Sequence, residues 1–242
     1  MSNVIIEQLA PTGVLRAGIN MSNFLLVSSE TPEGAPAGVS PDMAKALADK
    51  LGADLELISY KNPGDVADAA IRNEWDIANI AAEAERAKFI CFSPAYCEIQ
   101  ATYLLPSGSA IQRIEDVDKA GVRISVKERA AYDLWLTDNL KNATLVRAAS
   151  MDESLSVFTQ NSLEVLAGLR PRLLEDAKKL PGSILMSESF TAVRQSIGCQ
   201  PGRPEAAEFV QAFVRDSIES GFVESLISKH GVAGKLSVAG LT

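Results

Sequence analysis

Val14-Leu15-Arg16-Ala17-Gly18-Ile19-Asn20, then Ser40-Pro41-Asp42-Met43-Ala44, then Asp54-Leu55-Glu56-Leu57-Ile58-Ser59-Tyr60 is the stretch that decides the fold. Its first and third pieces read as strands. Between them Met43, Ala44, Leu47, Ala48 and Leu51 recur at helical spacing, and Gly52 stops the helix. Ser40 is the expected N-cap, with Pro41 at the first helical position and Asp42 in the first turn. Strand, helix and strand in this order form a βαβ unit with parallel strands. The loop between Met21 and Val39, rich in Gly, Pro and Ser, joins the first strand to the helix.

The same alternation continues outward. A helix is predicted over 65–73 and a strand over 75–80. Further on come a strand at 122–126, a helix at 130–140 and a strand at 144–147. Ser150-Met151-Asp152-Glu153 reads as a capping box opening another helix. A strand at 163–167, a helix at 170–180 and a strand at 183–186 follow. The chain closes with helices over 204–220 and 222–230, the first marked by Ala206, Phe209, Val210, Phe213, Val214 and Ile218. Two such blocks argue an α/β fold with two lobes, not one barrel. Ala101–Pro106 and Thr191–Gly198 are the apolar stretches expected to join them. Ligands in α/β sheets settle beyond the carboxyl ends of strands, here near Asn20, Ile80, Val126 and Ala167.

Composition removes several function classes. The 242 residues are 47% hydrophobic, enough for real cores. With 23 Lys and Arg against 31 Asp and Glu the net charge is −8, which disfavours nucleic acid and anionic membrane surfaces as partners. The one histidine, His230, excludes HExxH zinc chemistry and reads as a solvated helix end. No metal or cofactor is expected. Cys91, Cys97 and Cys199 include no CxxC pair and read as small buried apolar side chains; a Cys91–Cys97 bridge is conceivable but has no local support. GxxxxGK[ST] and GxSxG are absent, and no GxGxxG follows a strand. No leader and no span of about 18 apolar residues is visible, so the expectation is a cytoplasmic protein or one whose leader has been removed.

Arg86 is the most informative charge. It follows the 75–80 strand in Asn79-Ile80-Ala81-Ala82-Glu83-Ala84-Glu85-Arg86, where a guanidinium can grip a carboxylate through two parallel hydrogen bonds. From spacing alone it reads instead as a surface arginine paired to Glu83 or Glu85.

An ordered series of motifs bears on that choice. Gly13-Val14-Leu15-Arg16-Ala17-Gly18-Ile19-Asn20 is followed by Gly38-Val39-Ser40-Pro41-Asp42-Met43-Ala44, Leu51-Gly52, Glu74-Trp75-Asp76-Ile77-Ala78, Arg86 and Phe92-Ser93-Pro94-Ala95-Tyr96. Gly121-Val122-Arg123-Ile124-Ser125-Val126 and Ala131-Tyr132-Asp133-Leu134 extend it over nearly the whole chain. The series resembles the family 3 solute-binding proteins, the ligand-capturing components of polar amino-acid ABC transporters. The resemblance implies a periplasmic-binding-protein-like fold of two lobes on a two-strand hinge, with the ligand cleft between them. Lobe 1 is expected from residues 1–104 and 193–242, lobe 2 from 105–192. It implies a periplasmic location, a membrane permease as partner and a monomer.

By the same resemblance Arg86 takes the position that binds the ligand carboxylate. Asn20, Asn23 and Phe24 fall in a ligand-contacting loop, with Phe24 also readable as core. Asn79 and Ala81 fall where backbone and hydroxyl groups make contact in the family. The chain departs from the family where a Thr three residues before the arginine is replaced by Glu83, and where Lys127-Glu128-Arg129-Ala130 lacks the usual hydroxyl. The acidic residue for the ligand ammonium would fall near Leu169, and an apolar side chain cannot pair with that charge. The expected ligand is therefore a small carboxylate, not restricted to α-amino acids, held by Arg86 with Arg129, Ala130, Arg170 and Gln195 as further candidates. Arg129 and Arg170 also read as solvated surface arginines, and Gln195 as a hinge side chain facing water. Two other classes stay open. One is a cyclohexadienyl-dehydratase-like enzyme with Glu83 or Glu128 as its acid; the other is the ligand-sensing domain of a receptor.

Overall fold

The computed structural model describes residues 3–240. In chain order it begins with α1 (Asn3–Leu9), β1 (Val14–Asn20), β2 (Ser29–Glu30), β3 (Pro36–Ala37), α2 (Val39–Leu51), β4 (Asp54–Tyr60), α3 (Pro63–Ile71), β5 (Ile77–Ala81), β6 (Cys91–Phe92) and β7 (Cys97–Leu105). The middle carries β8 (Arg123–Lys127), α4 (Ala131–Asn139), β9 (Thr144–Ala148), α5 (Met151–Gln160), β10 (Val165–Leu169), α6 (Arg170–Lys179) and β11 (Ile184–Leu185). The chain then returns through β12 (Thr191–Cys199) to α7 (Pro204–Glu219), α8 (Phe222–Lys229) and β13 (Ser237–Val238). It divides into two compact units, Met1–Glu98 with Arg194–Thr242 and Ile99–Val193. The divisions fall inside β7 and β12, so each of these strands contributes residues to both units.

Unit 1 is built on the strand order β4-β1-β5-β12. The deciding stretch folds as read: β1 and β4 are parallel, from Val14 opposite Asp54 to Asn20 opposite Tyr60. β5 joins β1 in parallel with Ala17 opposite Ile77, and β12 runs antiparallel to β5 with Gln195 opposite Ala81. Helix α2 covers β1 and β4 with a stripe of Met43, Ala44, Leu47 and Ala48, all fully buried. On α3 the residues Val66, Ala67, Ala69 and Ala70 pack with Trp75, Ala78, Ile80 and Ile90. Trp75 is fully buried, and its indole Nε1 donates to the Val66 carbonyl at 2.9 Å, so the ring brings no unpaired donor into the core. A Cβ on Gly18 would lie 3.0 Å from the Trp75 ring, which makes this strand position one for glycine.

β1 and β5 are also tied by charge. Arg16 Nε donates to Asp76 Oδ2 at 3.0 Å and Nη2 to Oδ1 at 2.9 Å, while the Arg16 backbone N–H reaches Oδ2 at 3.1 Å. Asp76 is 1% exposed, and the hydrogen bond it accepts raises the Arg16 pKa. The fork-to-carboxylate geometry compensates for burying the acid.

Unit 2 has the order β7-β10-β8-β9, with β11 antiparallel on β7. β8 pairs in parallel with β9 and with β10, and β10 runs antiparallel to β7. Leu104, Phe158, Leu163, Leu166 and Leu173 form a core there. Tyr103 stacks on Phe190 with centroids 4.5 Å apart.

Several local expectations change. Ser40 lies inside α2, not at its cap: the helix starts at Val39 behind Gly38, and the Ser40 hydroxyl pairs with the Tyr96 hydroxyl at 3.0 Å. Gly38 has φ 154°, and a Cβ there would sit 2.2 Å from the Leu26 carbonyl oxygen, which accepts from Ser40 N. The loop therefore crosses α2 at the spot Ser40 needed for capping. Asn62 caps α3 by accepting from Asp65 N, starting that helix earlier than its apolar spacing suggests. Ser150 does cap α5, but Glu153 returns its bond to Ala149 N, one residue before the cap. The strand read over 163–167 is displaced to Val165–Leu169, moving its exit to Leu169. His230 is not solvated: its Nε2 lies 2.8 Å from Asp42 Oδ2, which also accepts from Lys229 at 2.7 Å. Burial works against the Asp42 charge, yet these two bonds outweigh it and lower the Asp42 pKa.

Candidate functional site

The strand exits of each unit carry the candidate groups. In unit 1, β1 ends in a turn folded by its own asparagines. Asn20 Oδ1 accepts from Ser22 N at 3.2 Å and from the Ser22 hydroxyl at 2.8 Å. Asn23, buried, accepts from Leu25 N through its side chain and from Leu26 N and Val27 N through its carbonyl. These are Asx-type turns, in which the side chain substitutes for a backbone acceptor. The turn presents Phe24 at 37% exposure, so the core alternative for this ring does not hold.

β5 is buried along its whole length. Asn79 is 2% exposed, and neither its Nδ2 nor its Oδ1 has a partner among the described residues. Leaving both halves of an amide unmet is expensive in a core, typically about 1–3 kcal/mol per group. Ala78 and Ile80 point into the Trp75 cluster, so alternation puts Asn79 on the opposite sheet face with Ile77 and Ala81. Gln195 stands opposite Ala81 on β12, is 4% exposed, and is not the water-facing side chain that was one expectation. Its carbonyl accepts from Tyr96 N at 2.8 Å.

Beyond β5 the chain makes one 3₁₀ turn at Arg86–Lys88. Arg86 is 3% exposed and donates through Nη1 to the Ala81 carbonyl at 2.9 Å. Phe89 N and Ile90 N return to the Arg86 carbonyl. The surface pairing with Glu85 does not describe this residue: Glu85 is exposed and is bound by Lys88 at 2.6 Å through both oxygens. Arg86 thus places a buried, anchored guanidinium just beyond the end of β5.

In unit 2, β8 ends at Lys127, 6% exposed, whose ammonium donates to the Glu128 carbonyl at 3.1 Å. Arg129 then takes the left-handed conformation, φ 58°, unusual for a residue with a side chain. Asp133 holds it there, accepting the Arg129 N–H on Oδ2 at 2.7 Å. Asp133 is in turn bound by Arg147 Nε at 3.0 Å on Oδ1, and Arg147 Nη2 donates to Thr137 at 2.7 Å. Burial raises the Asp133 pKa in spite of these bonds. Ala130 follows as the residue before α4, buried and without a side-chain cap. Sequence reading missed Asp133 and Arg147 as positioning residues. The available signal was an acid in the first turn of a helix directly after a non-glycine turn.

Leu169 closes β10 at 7% exposure. Arg170 beside it uses every guanidinium nitrogen within unit 2: Nε to Gln100 at 2.8 Å, Nη1 to the Met186 carbonyl at 3.0 Å, and Nη2 to the Ser187 and Glu188 carbonyls and the Ser189 hydroxyl. It ties the 186–189 segment to the start of α6.

The alternating α/β arrangement, with a discontinuous first unit and candidate groups at strand exits, is the two-lobed periplasmic-binding-protein fold. Residues 15–233 match the bacterial extracellular solute-binding proteins, family 3, and the chain belongs to that family. A cyclohexadienyl dehydratase of Pseudomonas aeruginosa is 30% identical over 159 residues, covering 64% of this chain and 58% of that protein. Among solved structures, an amino-acid ABC transporter substrate-binding protein of Streptococcus pneumoniae bound to L-arginine superposes with a TM-score of 0.73 at 19% identity, covering 93% of this chain and 97% of that one. An ancestral amino-acid-binding protein, a precursor of cyclohexadienyl dehydratase, gives 0.72 at 21% identity over 95% and 99%. Among the described residues no helix is long and apolar enough to cross a membrane.

Proposed function

We propose that the protein is a solute-binding component of an ABC transporter that captures a small carboxylate-bearing ligand, an amino acid or related organic acid. The observation that carries this reading is Arg86: a buried guanidinium at the exit of a central strand, in a chain of the family 3 solute-binding proteins. One terminal nitrogen is anchored on the Ala81 carbonyl, which fixes the plane of the fork for a carboxylate. Asn79, Gln195 and Phe24 are the other ligand groups proposed on unit 1, and the Arg129 and Ala130 backbone with the Arg129 side chain on unit 2. Arg170 is left out, because its donors are consumed by its own unit. With a buried leucine at position 169, an ammonium has no acid partner there, and the ligand class includes carboxylates without an α-amine. A periplasmic location, a permease partner and monomeric action belong to the same proposal.

Calorimetry against a panel of amino acids and simple carboxylates tests it. At least one ligand is expected to bind, and Arg86→Ala is expected to weaken it about 10- to 100-fold, as for loss of a charge-assisted pair. Equal affinities of the two proteins for every ligand found would overturn the role of Arg86.

The likeness to cyclohexadienyl dehydratase supports a second reading, an enzyme on the same fold with Glu83 or Glu128 as its acid. Incubation with prephenate and arogenate separates the two. Product that disappears in Glu83→Gln or Glu128→Gln supports the enzyme; tight binding without turnover supports the carrier.

A further inference from the structure

Cys91 and Cys199 face each other across the antiparallel pair β6–β12, with Gly198 opposite Phe92 in the same ladder. Directly opposed residues in such a pair have Cα atoms about 4.5–5.5 Å apart, inside the range a disulfide spans without moving the backbone. The thiols are close enough to interact: a hydrogen bond and electrostatic repulsion from Cys91 add to burial in pushing the Cys199 thiol up to about 12. Cys97, closer to Cys91 in sequence, lies on β7 and pairs opposite Val238. All three thiols are reduced in the structure.

The two opposed cysteines differ in access. Cys199 is 1% exposed, whereas Cys91 is half-buried and lines a cavity of about 400 Å³ with Gln200, Pro201, Gly202, Arg203, Pro204 and Ala207. Burial dominates at Cys199, and the nearby Arg203 charge only partly opposes it. One thiol is reachable and the other waits behind it.

We propose that Cys91 and Cys199 form a redox-sensitive pair, closed to a cross-strand disulfide by a small-molecule disulfide oxidant, that clamps the segment following Arg86 to β12. In the first step the Cys91 thiolate attacks one sulfur of the oxidant, breaking its S–S bond and releasing one thiolate. In the second, Cys199 gives up its proton and attacks the Cys91 sulfur, releasing the second thiolate. Two protein thiols are oxidised, two small thiols are formed, and the two protons go to them. Only Phe89 and Ile90 separate the 3₁₀ turn of Arg86–Lys88 from Cys91, so the bridge would fix the backbone that carries the candidate carboxylate-binding arginine. An extracellular setting favours such bridges.

The purified full chain, reduced and then exposed to oxidised glutathione without denaturant, gives the test. Titratable thiols are expected to fall from three to one. Proteolysis should yield a peptide linking Cys91 to Cys199, about 2 Da lighter than the sum of its parts. Closing a loop of this length is expected to raise Tm by about 5–10 °C, reversed by dithiothreitol. Cys97→Ser should keep the link and the shift; Cys199→Ser and, independently, Cys91→Ser should abolish both. Because mapping of the wild-type protein decides the pairing, a variant that fails to fold leaves the test intact. A Cys91–Cys97 link, glutathione retained on Cys91, three surviving thiols, or a bridge that leaves Tm unmoved would each overturn the proposal.

Discussion

The Arg86 guanidinium donates through Nη1 to the carbonyl oxygen of Ala81, five residues back and at the end of β5, at 2.9 Å. A strand end and the turn that follows it are thereby locked together, and a charge is delivered at a strand exit with its orientation set. In the proposed role the fork itself matters. Arg86→Lys keeps the charge but offers no two parallel donors, and it is expected to lose about tenfold or more in ligand affinity. Calorimetry reads this directly. A lysine variant that binds as tightly as the parent would leave only a point charge to explain recognition.

The second unit offers a different handle. Asp133 holds Arg129 in its left-handed conformation and is itself held by Arg147. Replacing it with alanine removes both bonds and leaves the exposed Arg147 with its Thr137 contact. Asp133→Ala is expected to lower unfolding free energy by about 1.5–3 kcal/mol in urea titrations. It should also weaken ligand binding at neutral pH, which separates a positioning role from a purely structural one.

Asp76→Ala breaks the pair that joins β1 to the start of β5. Arg16 is about one-third exposed and finds water, so the loss is set mostly by the missing bonds to the buried acid. A destabilisation of about 3 kcal/mol is expected, visible as a lower urea midpoint with an unchanged slope. A change under 0.5 kcal/mol, of the size typical for surface pairs, would contradict this.

Gly38→Ala tests the crossing of the 21–38 loop over the start of α2. The added methyl meets backbone, not a movable side chain, at Leu26. Backbone strain alone is expected to cost about 1–3 kcal/mol, and the Ser40 N–H to Leu26 carbonyl bond should lengthen or break. Thermal unfolding with amide exchange at Ser40 reports both.

Acid sensitivity should show at Asp118. Its carboxylate accepts from the backbone of Ala143, Asn142 and Lys141, at 2.9, 2.7 and 3.0 Å, and the Ala143 bond contributes most to lowering its pKa from the ordinary 3.8. A depressed folded pKa means the stabilisation is present above the unfolded value and lost as pH falls through the folded one. The stability gap between the parent and Asp118→Asn is therefore expected to be flat above about pH 5 and to shrink below about pH 4. A gap that widened on acidification would show that the bonds do not depend on the charge.

The alternation of strands and helices was legible in the sequence because apolar period and capping signals agree over most elements. The β1–α2–β4 stretch and the Ser150 cap are the clearest instances. The boundary errors share one cause. Ser40 looked like a cap because its neighbours fit one, but capping depends on where the preceding loop runs, and Gly38 sends it across Leu26. His230 looked solvated because nothing nearby in sequence could hold it, while its partner Asp42 is 188 residues away.

The candidate site divides along the same line. The 242-residue sequence by itself determined the fold class, the family and the choice of Arg86, since ordered local motifs carry these. Only tertiary structure decided that Arg86 is buried and anchored, that Asn79 has no partner for either polar atom among the described residues, that Arg170 is spent on its own unit, and that Cys91 faces Cys199, not Cys97. Burial and cross-strand register are set by residues far apart along the chain, and periodicity within one segment does not encode them.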